Sequence, residues 1–176
     1  MPKLILSAIL GAAGLAAAGS LALPQDLRQA SSGRVTVQVT SVKAIYQNPD
    51  PASPAFQVKY TVTNSSSEEI LFLDHLMHLN VEVKTPQGRI LEPTIQVRLA
   101  EPDADCFRFV KPGKTHTAVF NSLPFDVPSG VKSVNVSLVF TSPADPKALP
   151  KPKEPHGKFT IFPAKKLVVA PVTVGL

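Results

Sequence analysis

Apolar and polar residues alternate along most of the chain from Val35 onward. Val35, Val37 and Val39 are spaced by two within Val35–Val42, the mark of a half-buried strand. Three prolines in the run from Asn48 to Pro54 then remove backbone donors and fix φ, so pairing stops there. Phe56, Val58, Tyr60 and Val62 follow on one face, with Gln57, Lys59, Thr61 and Thr63 on the other. Asn64 to Glu69 is polar and reads as a turn into the short apolar run Ile70–Leu73. Leu79, Val81 and Val83 alternate with polar residues, and Thr85-Pro-Gln-Gly88 turns the chain into Arg89-Ile-Leu91, which predicts a hairpin.

Ile95, Val97 and Leu99 alternate again, and Phe107-Arg-Phe109 follows the acidic loop Glu101–Asp105. Lys111-Pro-Gly-Lys114 suits a tight turn, since Pro presets φ and Gly accepts a positive one. His116, Ala118 and Phe120 then share a face, as do Val134, Val136, Leu138 and Phe140. Between Thr141 and His156 there are five prolines, three lysines and no apolar period, which describes a stiff extended connector. Phe159 to Val174 is β-branched and apolar, and is expected to add a strand to an edge of its own sheet or of a partner's. No segment has a helical period. The pattern predicts an all-β, immunoglobulin-like antiparallel sandwich of about 7–9 strands, with a Pro-rich excursion before the last strands.

The 176 residues suffice for one core of ordinary size. Met1–Ala22 runs from Lys3 through an apolar stretch to small residues, the order of a cleaved secretory signal peptide. The expected organisation is a signal peptide at 1–22, a lead-in at 23–34, the sandwich at 35–140, a Pro/Lys-rich connector at 141–157 and a C-terminal strand segment at 158–176. A secreted or periplasmic location follows, with no membrane span once the signal is removed. Cys106 is the one cysteine, so no intramolecular disulfide forms, and its aromatic neighbours imply packing.

The net charge is +5, and residues 23–144 are balanced between eleven basic and eleven acidic side chains. The excess therefore lies in the C-terminal arm, where Lys147, Lys151, Lys153, Lys158, Lys165 and Lys166 face only Asp145 and Glu154. Those six lysines are the candidate contact for an anionic partner, with an envelope protein or an anionic surface polymer as the expected class. Nucleic acid is not expected, because no aromatics are interleaved with the charge.

Tyr60-Thr-Val-Thr-Asn64, Val81 to Gly88, Phe107 to Gly113 and Val119-Phe120 with Phe125-Asp-Val-Pro128 together give the chain a resemblance to a known group. It resembles exported bacterial immunoglobulin-like domains of the proteinase-inhibitor-like and surface-lipoprotein accessory types. The resemblance implies a sandwich used for binding or assembly. This chain departs from the pattern in having no Trp after Gly88, no lipobox Cys and an additional basic arm, so inhibitory activity is carried to no residue.

Enzymatic chemistry is not expected. There is no Gly-x-Ser-x-Gly elbow, no Gly-rich phosphate cradle and no recognisable context for a nucleophilic Cys106. The alternative chemistry is copper. In an extended backbone His75 and Met77 of Asp74-His-Leu-Met-His78 project to one side, His78 stands beside them, and His116 completes the set if its strand is adjacent. Against that, Met77 is the sole methionine after the leader. Two sequons, Asn64-Ser-Ser66 and Asn135-Val-Ser137, are potential modification sites in a glycosylating host.

Overall fold

The computed structural model describes residues 29–46, 53–96 and 100–176. The expected leader, most of the Asn48–Pro54 interruption and the positions Val97 and Leu99 lie outside them. The chain forms β1 (Gln29–Ser32), β2 (Val35–Ile45), β3 (Ala55–Asn64), β4 (Glu69–Leu73), β5 (Leu79–Lys84) and β6 (Ile90–Leu91). Then come β7 (Phe107–Val110), β8 (Thr115–Asn121), β9 (Ser133–Phe140), β10 (Phe159–Ile161), β11 (Leu167–Val168) and β12 (Val172–Gly175). The fold is an all-β sandwich.

One layer is a four-stranded sheet in the order β1-β2-β3-β8. It packs across the core from a sheet ordered β11-β9-β5-β6, in which β12 continues β11 along the same partner β9, and from a three-stranded sheet β10-β4-β7. All pairings are antiparallel except β10 with β4, which run parallel. The expected pairing of the C-terminal segment with an edge is found twice, at β4 and at β9.

The alternating positions face inward where the pattern places them. Phe56, Val58, Tyr60, Val62, Val136 and Leu138 are almost fully buried, and Val81 and Phe120 nearly so. A bulge between Val39 and Ser41 shifts the phase of β2, so Val42 returns to the inner face opposite Val58. At the centre Phe72, Tyr60 and Phe140 meet edge-to-face, with Phe140 5.8 Å from Tyr60 and 5.9 Å from Phe72 between ring centroids.

The short run Ile70–Leu73 is buried on both faces. Ile70 and Phe72 belong to the main core. Leu71 and Leu73 form a second cluster with Phe107, closed over by Phe109, Leu149, Phe159 and Ile161. The stretch expected to form a strand at Ile95 does not: Thr94 and Ile95 form a bend and Ile95 is half exposed. The Thr85–Gly88 turn forms the expected hairpin, with Gly88 at φ 88° and its N–H donated to Thr85 O at 2.9 Å.

Asn64 locks two turns together. Fully buried, it donates from Nδ2 to Glu68 O and Val110 O, both at 2.8 Å, and its Oδ1 accepts from Ser66 N at 3.0 Å and Ser66 Oγ at 2.6 Å. Its carbonyl accepts the N–H of Gly113, whose φ of 69° closes the β7–β8 turn, at 2.7 Å. Every polar atom of the first sequon's asparagine side chain is thus engaged inside the fold. Asn64→Asp replaces two donors by acceptors facing carbonyls and should cost at least about 2 kcal/mol. Urea unfolding at neutral pH checks it; a loss below about 0.5 kcal/mol, the range of an indifferent surface change, would contradict this bonding.

Candidate functional site

A large concave surface lies where the Pro-rich arm crosses the end of the sandwich. It is a groove of about 810 Å³ between the Asp74–His78 turn, the acidic loop and the arm, lined by Met77, His78, Glu101, Pro102, Asp103, Pro143, Asp145, Leu149 and Pro150 among others. Each wall is fixed by local bonding. Asp103 caps a 3₁₀ turn at Ala104–Cys106, its Oδ1 accepting from Asp105 N at 3.0 Å. Asp145 caps the turn Pro146–Ala148 in the same way, accepting from Lys147 N at 2.9 Å, with Pro in the first position where its missing N–H costs nothing. The arm joins the body where Thr141 N donates to His78 O at 2.7 Å and His78 Nδ1–H donates to Thr141 O at 3.2 Å.

The geometry changes the copper constellation. Asp74–His78 is a turn, closed by Leu79 N donating to His75 O at 2.7 Å, so the extended spacing that would align His75 with Met77 is absent. His75 Nδ1 accepts from Met77 N at 3.3 Å. His116 faces inward opposite Val62 and packs edge-to-face on buried Phe72 at 5.5 Å. Of the four, only Met77 and His78 line the groove. Among the described residues no group of three or more His, Cys, Asp or Glu side chains is gathered so as to hold a metal.

The arm lysines also separate. Lys153 pairs with Asp105, and Lys158 with Glu68 at 3.0 Å, so two of the six reach back to carboxylates of the body. His156 lies flat on Phe109, with ring centroids 3.5 Å apart, and its Nδ1 is 3.1 Å from Glu69 Oε2. Thr160 Oγ1 donates to Glu68 Oε2 at 2.8 Å; that bond first, and Lys158 second, hold the Glu68 carboxyl below its usual range. Lys147, Lys151, Lys165 and Lys166 are exposed. The partly buried Cys106 thiol is pushed up, chiefly by burial, which disfavours the reactive thiolate.

Sequence reasoning did not single out the carboxylates Glu101, Asp103 and Asp145 as one lining. Asp145-Pro146 is a cap signal in itself, but the approach of its turn to Asp103 depends on the path of the arm. A further polar cluster at the Asp74 end was equally hidden. Arg108 pairs with Asp74 at 3.0 Å near the inward side of β3, where the buried Tyr60 hydroxyl has no hydrogen-bond partner among the described residues. Burial first and the Asp74 charge second hold that phenol far above its usual range.

Residues 27–137 match the family model described as a domain of unknown function, DUF5067. The chain belongs to the DUF5067 family. The match spans β1 to most of β9 and leaves the arm with β10–β12 outside it. No curated protein matches the chain. Among solved structures, the yjhA protein from Bacillus subtilis is 12% identical, covering 64% of this chain and 76% of its own, with a TM-score of 0.35. A conserved hypothetical protein from Bacillus anthracis is 10% identical, covering 64% and 87% respectively, with a TM-score of 0.37. Among the described residues of this DUF5067 protein, no helix is long and apolar enough to cross a membrane.

Two histidines give the domain a pH dependence. His78 is held below the usual histidine range mainly by burial and then by the nearby His75, which outweigh the Thr141 carbonyl and Glu101. His116 is lowered by burial first and by Arg108 second, against Asp74. The unfolded chain takes up these protons near its ordinary value of about 6.5 while the folded state resists them, so stability falls as pH drops through that region. The urea midpoint should decline from about pH 7 to about pH 5. His116→Phe, which keeps a ring against Phe72, should flatten the decline; an unchanged slope would show that His116 does not contribute.

Proposed function

We propose that this DUF5067 protein is an exported, non-catalytic binding module of the cell envelope, secreted or periplasmic. The observation that carries this reading is the groove beneath the arm. Its walls are Pro102, Pro143, Leu149 and Pro150, rigid and apolar, and among the described residues of the lining its carboxylates Glu101, Asp103 and Asp145 are accompanied by no Lys or Arg. A concave surface of one charge on a protein of opposite net charge focuses its field and favours a basic segment of a partner protein. The signal-like order of Met1–Ala22 and the resemblance to exported immunoglobulin-like sandwiches support the same compartment and the same non-chemical role.

Capture from an envelope fraction of the source cell tests the reading. The protein carrying a photo-crosslinker at the exposed Met77 should enrich a discrete envelope partner, and Glu101→Lys with Asp145→Lys should abolish the enrichment. Lys132→Glu, exposed at the opposite end of β9 from the groove, should leave it intact. An identical set of crosslinks from the wild type and the charge-reversed variant would end the proposal.

The copper alternative keeps one supporting observation, that Met77 and His78 line the same groove. It requires binding of Cu(I) at micromolar affinity or better, lost in the double variant Met77→Leu, His78→Phe. Calorimetric titration showing no such binding would remove it.

A further inference from the structure

The four-stranded sheet carries no acidic residue in any of its strands. β1, β2, β3 and β8 contain neither Asp nor Glu, while Lys43 and Lys59 stand exposed among them. The turns at one end add Arg34, between β1 and β2, and Lys111 and Lys114, between β7 and β8. Among the described residues none of these five cations pairs with a carboxylate. Glu68, the acid that follows the β3 end of the sheet, is occupied by Lys158 and Thr160.

The outward face of this sheet is an ordered array. Register aligns Ser31, Thr36, Thr63 and Thr115 in one row across all four strands. Gln29, Gln38, Thr61 and Thr117 form the next row. Hydroxyl pairs bridge Ser31 to Thr36 at 3.2 Å and Thr63 to Thr115 at 2.9 Å, which holds the rotamers. Neighbours are therefore about 4.8 Å apart across the strands and roughly 6.7 Å apart along them, and each hydroxyl or amide both donates and accepts. The cations stand beyond this neutral block, Lys59 on one side and the turn residues on the other, some 17 Å apart along β3.

We infer that this face binds an acidic polysaccharide, a hydroxyl-rich chain with carboxylates or phosphates spaced along it. The inference rests on the reading of the chain as an envelope binding module, and moves the anionic-polymer contact from the arm lysines to the sheet. Sugar hydroxyls match the donor-acceptor rows, and the spaced anions match Lys59, Arg34 and Lys114. Nucleic acid fits less well because no aromatic side chain points outward from these strands to stack a base. A lipid surface fits less well because Val119, half exposed, is the one exposed large hydrophobic in these four strands, with Ile45 of β2 partly exposed.

The test uses the full mature chain with polygalacturonate as probe, at low salt, by calorimetry and affinity electrophoresis. Lys43→Glu with Lys59→Glu, and separately Arg34→Glu with Lys114→Glu, should each weaken binding about tenfold or more. Thr61→Val with Thr117→Val keeps the charge and the β-propensity of the strands, and should weaken it several-fold. Lys147→Glu with Lys151→Glu on the arm should leave it unchanged, and circular dichroism establishes that every variant folds. Equal loss from the arm and sheet pairs would overturn the assignment to the sheet. So would equal affinity for polyacrylate, which has the charge without the hydroxyls, or tighter binding of single-stranded DNA or of phosphatidylglycerol vesicles. A wild type that binds no polysaccharide refutes this inference alone, because capture through the groove depends on Glu101 and Asp145 and is scored separately.

Discussion

The fold depends on β4 having apolar side chains on both faces. Ile70 and Phe72 are used by the main core, so Leu71 and Leu73 must be covered from outside. The cover comes partly from the neighbouring β7 through Phe107, and partly from the far end of the chain through Leu149, Phe159 and Ile161. Burying each such side chain contributes about 1.5–3 kcal/mol, while each doubling of the connecting loop adds only about 0.6 kcal/mol of closure entropy. The long excursion is therefore cheap relative to what it covers. The parallel pairing of β10 with β4 is open to the chain because β5–β9 and the excursion together separate the two strands, where a tight turn would force them antiparallel.

Seen this way, the charged contacts of the arm are fasteners of modest strength. Lys153–Asp105 and Lys158–Glu68 are exposed pairs of the kind that contributes little to stability, and less at higher salt. They do not hold the arm down against its own preference. They fix its register over β4, after Leu149 and Phe159 have supplied the driving force. The His156 ring, flat on Phe109 and bonded to the half-buried Glu69, joins both kinds of contact in one residue. Two consequences follow for the surface: the arm's basic excess is partly spent on the body, and the Pro-rich stretch ahead of the fasteners, from Ser142 to Pro150, lines the groove.

Much of the sandwich was legible because antiparallel strands with one wet face print a period of two. β2, β3, β5, β8 and β9 each show it, and their inward residues are the buried ones. β1 was not legible, since Gln-Ala-Ser-Ser has no apolar alternation and becomes a strand only by pairing with β2. Ile95 misled for the opposite reason: its alternation is real, yet Thr94 is tied to Pro124 O at 2.8 Å in a bend that leaves the isoleucine outside. The expected alignment of His75 with Met77 was lost to backbone geometry. Two residues apart means the same side only in extended chain, and the carbonyl of His75 accepting from both His78 and Leu79 makes that segment a turn.

Charge was the property least recoverable from linear order. Counting along the chain assigns the whole basic excess to the last segment, because residues 23–144 sum to neutrality. That neutrality conceals a partition created by pairing. Strands β1, β2, β3 and β8 come from positions as far apart as Gln29 and Asn121 and bring only bases and neutral polar groups to one sheet. Among the described acids of the same span, Glu69 and Glu82 lie in β4 and β5 of the other sheets, and of those in loops and turns Asp103 caps a turn, Asp105 and Glu68 hold the arm, and Asp74 engages Arg108. Each carboxylate placed in such a role is one withheld from the sheet face, so the anchoring of the arm and the one-signed character of that face follow from the same allocation of acids.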